Sequence, residues 1–235
     1  MKRIRLIVGV ATAVALCSVI APAVAAAKEP NLLGEKGNPP VTFKGSSGLG
    51  TIETSSGKKI ECGADSPSGE FEAEAEAEEY ATKGPFTINF EKCSSKATTC
   101  TGSGASKGVI VVSGAFQVRW WGKAITEHKV AFMALLKEPT FTCASTSFTL
   151  RGCVAGNVEP VNSGLKGTVS VLFKQEKSKQ AITEVFNAAG TKEEACKMEL
   201  KEGAGAFEVA GLATTEALGS FVNKQLETIN VEIMG

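Results

Sequence analysis

Hydrolysis by a Ser-His-acid triad needs a histidine that orients and deprotonates a serine. This chain of 235 residues has one histidine, His128, and one aspartate, Asp65. Its single Gly-x-Ser-x-Gly match is Gly104-Ala105-Ser106-Lys107-Gly108. A nucleophile elbow sets its serine between a strand and a helix. Here a Ser- and Thr-rich stretch precedes Ser106 and a β-branched run from Val109 follows it. His128 lies in Thr126-Glu127-His128-Lys129, where a solvated turn is expected. Ser55-Ser56-Gly57-Lys58 and Ser163-Gly164-Leu165-Lys166 match S-x-x-K, but the Ser-Asp-Asn and Lys-Thr-Gly motifs that give this pattern meaning are absent. The stretch Gly102 to Gly108 lacks the G-K-[ST] ending of a phosphate loop, and a strand is expected after it.

Carboxylates are the abundant chemistry, with 24 glutamates. A glycosidase needs two of them flanking the scissile bond, and so many make Glu content uninformative. The most unusual run is Glu70, Glu72, Glu74, Glu76 and Glu78, which alternates with apolar residues. Strict period two predicts a strand with a charged outer face, which discourages pairing with other chains. Trp120-Trp121 is the best candidate binding surface. Neighbours on a strand point to opposite faces, so one indole can enter the core while the other meets a sugar or a protein partner.

No Cys or His spacing suits zinc, and with one Asp a calcium loop is not expected. The reading therefore includes no metal and no cofactor. The start of the chain adds a compartment. Lys2, Arg3 and Arg5 precede an apolar stretch, Leu6 to Ile20, and Ala23-Val24-Ala25 and Ala25-Ala26-Ala27 offer small-residue cleavage sites. Residues 1–27 thus read as a secretory signal, and the expected location is extracellular. Cys17 falls inside the signal, after Leu16, which does not suit a lipoprotein cleavage site. The remaining 208 residues carry 22 basic and 25 acidic side chains. That balance offers no excess positive charge for nucleic acid. No second apolar run approaches spanning length.

Residues 28–48 contain Pro30, Pro39 and Pro40 and read as an extended lead-in, with one short strand at residues 41–44. Residues 49–235 read as one β-rich domain. After the Gly84-Pro85 turn signal, Phe86, Ile88 and Phe90 alternate with Thr87, Asn89 and Glu91, which puts three apolar side chains on one face. Further strands are expected at 108–113, 115–121, 129–137, 146–151, 166–175, 181–187, 196–201 and 224–233. Leu218, Phe221, Val222 and Leu226 have helical spacing, which suggests one short helix before the last strand. Many short strands with regular turns predict an all-β, antiparallel β-sandwich, with a barrel-like or two-lobed β architecture as the alternative.

The segments Gly57 to Cys62, Phe90-Glu91-Lys92-Cys93, Cys100, Gly108-Val109-Ile110 and Gly152 to Asn162 together resemble a family of secreted, β-rich, cysteine-containing proteins of high-GC soil bacteria. The resemblance covers most of residues 49–235, and it implies export without implying an activity. Six cysteines outside the signal, Cys62, Cys93, Cys100, Cys143, Cys153 and Cys196, suggest a disulfide framework. Cys93 and Cys100, with six residues between them, are expected to close a local ring. Cys62 with Cys143, both at strand ends in the part that resembles the family, is expected next, which leaves Cys153 with Cys196. The function read from these features is a secreted, non-catalytic structural or binding protein with an extracellular protein or glycan as partner. The alternative is a secreted, glycosidase-like hydrolase that uses Glu carboxylates.

Overall fold

The computed structural model describes residues 30–34, 41–72, 80–162, 168–187, 190–194, 197–222 and 231–234. The expected signal 1–27, the glutamates at 74, 76 and 78, Cys196 and Leu226 lie outside them. Fourteen strands carry the architecture. They are β1 (Val41–Ser46), β2 (Gly50–Thr54), β3 (Lys59–Cys62), β4 (Ala64–Phe71), β5 (Lys83–Glu91), β6 (Ser94–Ser95) and β7 (Thr98–Gly102). They continue with β8 (Ile110–Trp121), β9 (Lys129–Leu136), β10 (Thr140–Cys143), β11 (Thr146–Glu159), β12 (Thr168–Phe173), β13 (Met198–Glu202) and β14 (Phe207–Val222). All their pairings are antiparallel.

The ladders run in two circuits. In the first, β1 pairs with β4, then β5, β8, β9, β11, β12 and β14 follow in turn, and β14 pairs with β1 again. In the second, β2 is followed by β3, β6, β7, β10, β11, β13 and β14, and β14 returns to β2. Each strand of a circuit therefore has a partner on both sides, which removes the edge groups that would template pairing with another chain. Opposite walls face each other across a common interior, as sheets of a sandwich do, while the hydrogen bonding runs on around them.

Two long strands belong to both circuits. β11 has 14 residues and β14 has 16. Each changes neighbours midway. On β11, residues 146–149 pair with β10 and residues 153–158 with β9. On its other side, residues 148–152 pair with β13 and residues 157–159 with β12. Gly152 sits at this changeover with φ of 87°, and a Cβ there would lie 1.9 Å from the Lys197 carbonyl oxygen. Only glycine meets both conditions without strain.

Alternation fills the interior as the sequence predicts. Phe86, Ile88 and Phe90 are all buried. Phe43, Phe71, Phe116 and Phe132 form an aromatic cluster in the first circuit, with centroids 4.7–5.8 Å apart along its contacts. Phe141 and Phe148 stack at 5.3 Å in the second. The helix suggested by Leu218, Phe221 and Val222 does not form, because these residues end β14. Leu218 pairs with Val169 and Gly45, and two ladders outweigh an isolated turn of helical spacing. Among the described residues the helical content is one 3-10 turn, Ile125–Glu127.

The disulfides correct the expected pairs Cys93–Cys100 and Cys62–Cys143. The bonds are Cys62–Cys93 and Cys100–Cys143, with Cα atoms 4.0 and 4.1 Å apart. The reason is register. β3 pairs with β6 through Glu61 and Ser94, which puts Cys62 opposite Cys93. Cys143 and Cys100 are direct partners across β10 and β7. The β6–β7 hairpin also sets Cys93 beside Cys100, whose amide donates to the Cys93 carbonyl at 2.8 Å. The four cysteines thus form one buried row across the second circuit, and the short sequence spacing predicted adjacency without predicting the bond. Cys153 is also disulfide-bonded, and its expected partner Cys196 lies outside the described residues.

Two outcomes follow. Non-reducing peptide mapping will join Cys62 to Cys93 and Cys100 to Cys143, and replacing both cysteines of either bond by Ser will lower stability by about 2–4 kcal/mol in denaturant titration. Gly152→Ala will cost about 1–3 kcal/mol or more, because it combines positive φ with a backbone collision.

Candidate functional site

A 12-residue strand, β8, separates the two residues that a hydrolase reading would join. Ser106 lies in the turn before its start and His128 just beyond its end, so a strand length of about 36 Å stands between them. His128 is exposed at a positive φ of 53° and packs edge-on to Trp120 at 5.7 Å. This is a turn histidine against an aromatic ring.

Trp120 and Trp121 end β8 and point to opposite faces. Trp120 is 7% exposed and belongs to the main core. Trp121 is half-buried on the outer wall, where it packs with a satellite cluster of Ala131, Met133, Ala155, Ile182 and Val185. Ile182 and Val185 come from the chain that leaves β12 at Lys174 and returns at β13. Residues 174–187 of it lie against the wall as a strap, and their strand Glu184–Phe186 pairs with Trp120 and Trp121. The Trp121 indole N–H donates to Asn157 Oδ1 at 3.0 Å, and Asn157 Nδ2 donates to Glu159 Oε1 at 2.6 Å. Lys129 Nζ stands 5.2 Å from the Trp121 ring centroid and 2.7 Å from Glu127 Oε2. Its hydrogen bond holds the Glu127 carboxyl below the usual carboxylate range.

Between strap and wall is a depression of about 100 Å³, lined by Trp121, Asn157, Glu159, Leu172, Lys174 and Ile182 among others. Register explains the composition. Asn157 is opposite Leu172, so both point outward on neighbouring strands, and the polar rim alternates with inward Val158 and Val171. Such a site joins an aromatic wall to an amide, a carboxylate and an ammonium group, which suits recognition of a small ring with polar edges.

Sequence reasoning missed a second constellation. Asp65 on β4 and Glu216 on β14 both point into the first circuit, 4% and 2% exposed. The two carboxyl groups lie close enough to act on each other's protonation. Ser47 Oγ donates to Asp65 Oδ2 at 2.5 Å, and Thr214 Oγ1 donates to Ser47 Oγ at 3.2 Å. Burial first, then the bond to Asp65, pushes Glu216 up to about 9. Asp65 is also raised, chiefly by burial, against the bonds from Glu216 and Ser47. Two neighbouring carboxylates in an apolar interior cannot both ionise, so Glu216 holds a proton beside Asp65. The signal was present. Ala210, Leu212, Thr214, Glu216 and Leu218 alternate along one face of β14, and a glutamate in that series must be buried.

The other charged clusters satisfy themselves at the surface. Lys58 Nζ lies 2.6 Å from Glu208 and 3.2 Å from Glu202, and the bonds of Lys58 and Ser56 hold Glu208 down to about 2. Of the Glu ladder, Glu70 lies in β4 and Glu72 pairs with Lys83 through an isolated backbone β-bridge. Among the described residues, no group of three His, Cys, Asp or Glu side chains is placed to hold a metal ion. No helix among them is long and apolar enough to cross a membrane. Comparison with protein-family models, curated proteins and solved structures finds no match.

The two tryptophans separate by experiment. Trp120→Ala will cost about 3–5 kcal/mol, as expected for an aromatic side chain removed from a core. Trp121→Phe will lose the hydrogen bond to Asn157 and cost about 1 kcal/mol by the same denaturant titration.

Proposed function

We propose that the protein is exported and works outside the cytosol as a non-catalytic binding module, with its ligand seated beside Trp121. The observation that carries this reading is the depression between strap and wall, where an indole, an amide and two opposite charges converge. A glycan residue fits that chemistry, since the indole offers an apolar face and Glu159 and Lys174 offer an acceptor and a donor at the rim. Export is supported by the basic and apolar start of the chain and by its paired cysteines, because disulfides persist in oxidising compartments.

A hydrolase is the second reading, favoured by Asp65 and Glu216, which share a proton as a general acid and its base would. Two observations weigh against a glycosidase. The carboxyl groups touch, whereas glycosidases hold theirs about 5–9.5 Å apart to admit a sugar carbon or a water. Both are also buried, so a substrate would have to displace the 47–49 turn to reach them.

Glycan-array binding followed by titration of intrinsic fluorescence tests the first reading. Trp121→Ala will weaken binding about tenfold or more with the fold intact, as removal of a central aromatic contact does. Absence of any glycan affinity, together with turnover of a glycosidic, ester or peptide substrate that vanishes in Glu216→Gln, establishes the second reading instead.

A further inference from the structure

The carboxyl pair lies where the wall of the fold changes hands. Along one side of β14, Ala217 pairs with Ser46 of β1, and Ala213 pairs with Thr51 of β2. Between those rungs the chain leaves the first circuit through Ser47, Gly48 and Leu49 and enters the second. Residues 214–216 of β14 therefore face a break in the ladder on that side. Thr214, Ser47 and Asp65 bridge it with side-chain bonds, the buried Glu216 carboxyl lies beside them, and the Ser47 amide adds a backbone bond to the Asp65 carbonyl at 3.3 Å. The turn itself is open to solvent, with Leu49 66% exposed.

We propose that Asp65 and Glu216 form a proton-held latch that closes this junction, so that the fold is tightest in acid and loosens at the 47–49 turn when the shared proton is lost. Both Glu216 oxygens and Asp65 Oδ1 are buried without a hydrogen-bond partner. Two carboxyl groups can bond each other only when one of them carries a proton. Among the described residues, no cation acts on either group. The charged residues on the neighbouring strands are Lys44 on β1, Glu53 on β2, Glu70 on β4, Lys83 and Glu91 on β5, and Glu208 on β14, while β12 carries none and β13, with Glu199, Lys201 and Glu202, meets β14 only at residues 207–210, at its other end. Of these, Glu91 acts on Asp65, as a like charge that resists ionisation. A cavity of about 10 Å³ beside Glu216 is lined otherwise by apolar side chains such as Phe43, Phe86 and Val171, so its walls offer the carboxylate no further polar partner.

The sign follows from linkage. Glu216 holds its proton to about 9 in the fold, and an unfolded glutamate releases its own near 4.5. The stabilisation is complete below the lower value, falls as pH rises, and is gone above the higher one. Asp65, raised as well, acts in the same direction. One proton held by the fold and absent from the unfolded chain changes the folded-to-unfolded ratio by about tenfold per pH unit within that window.

Denaturant titrations of the wild type and Glu216→Gln from pH 5 to pH 10 measure this. The amide of the variant donates to Asp65 without titrating, so the wild type will lose stability relative to it by about tenfold per pH unit from pH 5 to pH 8. Hydrogen exchange at residues 47–50 and 214–216 will accelerate in the wild type at pH 10 and not in the variant. Infrared spectra of the wild type at pH 7 will show the C=O stretch of a buried carboxylic acid, which decides the case even if Glu216→Gln does not fold. Absence of that band, or parallel stability profiles, overturns the latch. So does Glu216-dependent stabilisation by added calcium or magnesium at pH 8, which would make the pair a cation site.

Discussion

Backbone N–H and C=O groups withdrawn from water must find partners, and in an antiparallel β fold those partners lie on two neighbouring strands. This chain meets that demand by closing its ladders on themselves, and the closure depends on β11 and β14. Each is long enough to serve as a wall strand twice. Each must also exchange its neighbours midway without leaving its own groups unpaired. The irregular features of the molecule gather at those exchanges. Gly152 takes a left-handed conformation where β11 changes partners, and a polar cluster occupies the gap where β14 passes from β1 to β2. The two circuits are thus coupled through shared backbone, and a disturbance at either crossing reaches both.

The local parts of this arrangement are legible in the sequence because they are carried by period-two alternation. Phe86, Ile88 and Phe90 announce their inward face within a few residues, and the β8 segment announces that its two indoles diverge. What the sequence does not display is which distant strands become neighbours. The disulfides illustrate the gap. Cys93 and Cys100 are close in the chain and close in space, yet each bonds a cysteine delivered by another strand. Register between strands dozens of residues apart is set by the summed fit of many side chains, and no short motif encodes it. The expected helix failed for a related reason. A few apolar residues at helical spacing are a local preference, and two ladders along β14 override it.

The candidate sites differ in legibility in the same way. Trp121 could be singled out by residue type, and a strand was expected at 181–187, but nothing in the sequence shows that residues 174–187 lie against Trp121 and turn its surroundings into a depression. Asp65 and Glu216 were hidden among many carboxylates. Alternation assigns Glu216 an inward position, but its neighbour Asp65 comes from a strand about 150 residues earlier. The pair reverses the usual role of acidic side chains in this protein. Elsewhere glutamate meets lysine at the surface, as Glu208 meets Lys58, and stays charged. Inside, the same group type is kept neutral by its surroundings.

The row of four cysteines has a consequence for how such a chain is made. In a reduced, unfolded polypeptide, loop closure favours Cys93 with Cys100, since six residues intervene, over partners 31 or 43 residues away. Oxidation that runs ahead of strand pairing therefore yields the bond that the mature fold does not use. Native bonding requires the hairpins to align first, or a thiol-exchange catalyst to correct the early product. Biogenesis of this protein is in that sense a race between oxidation and register, and its yield will depend on the isomerising capacity of its surroundings while it folds.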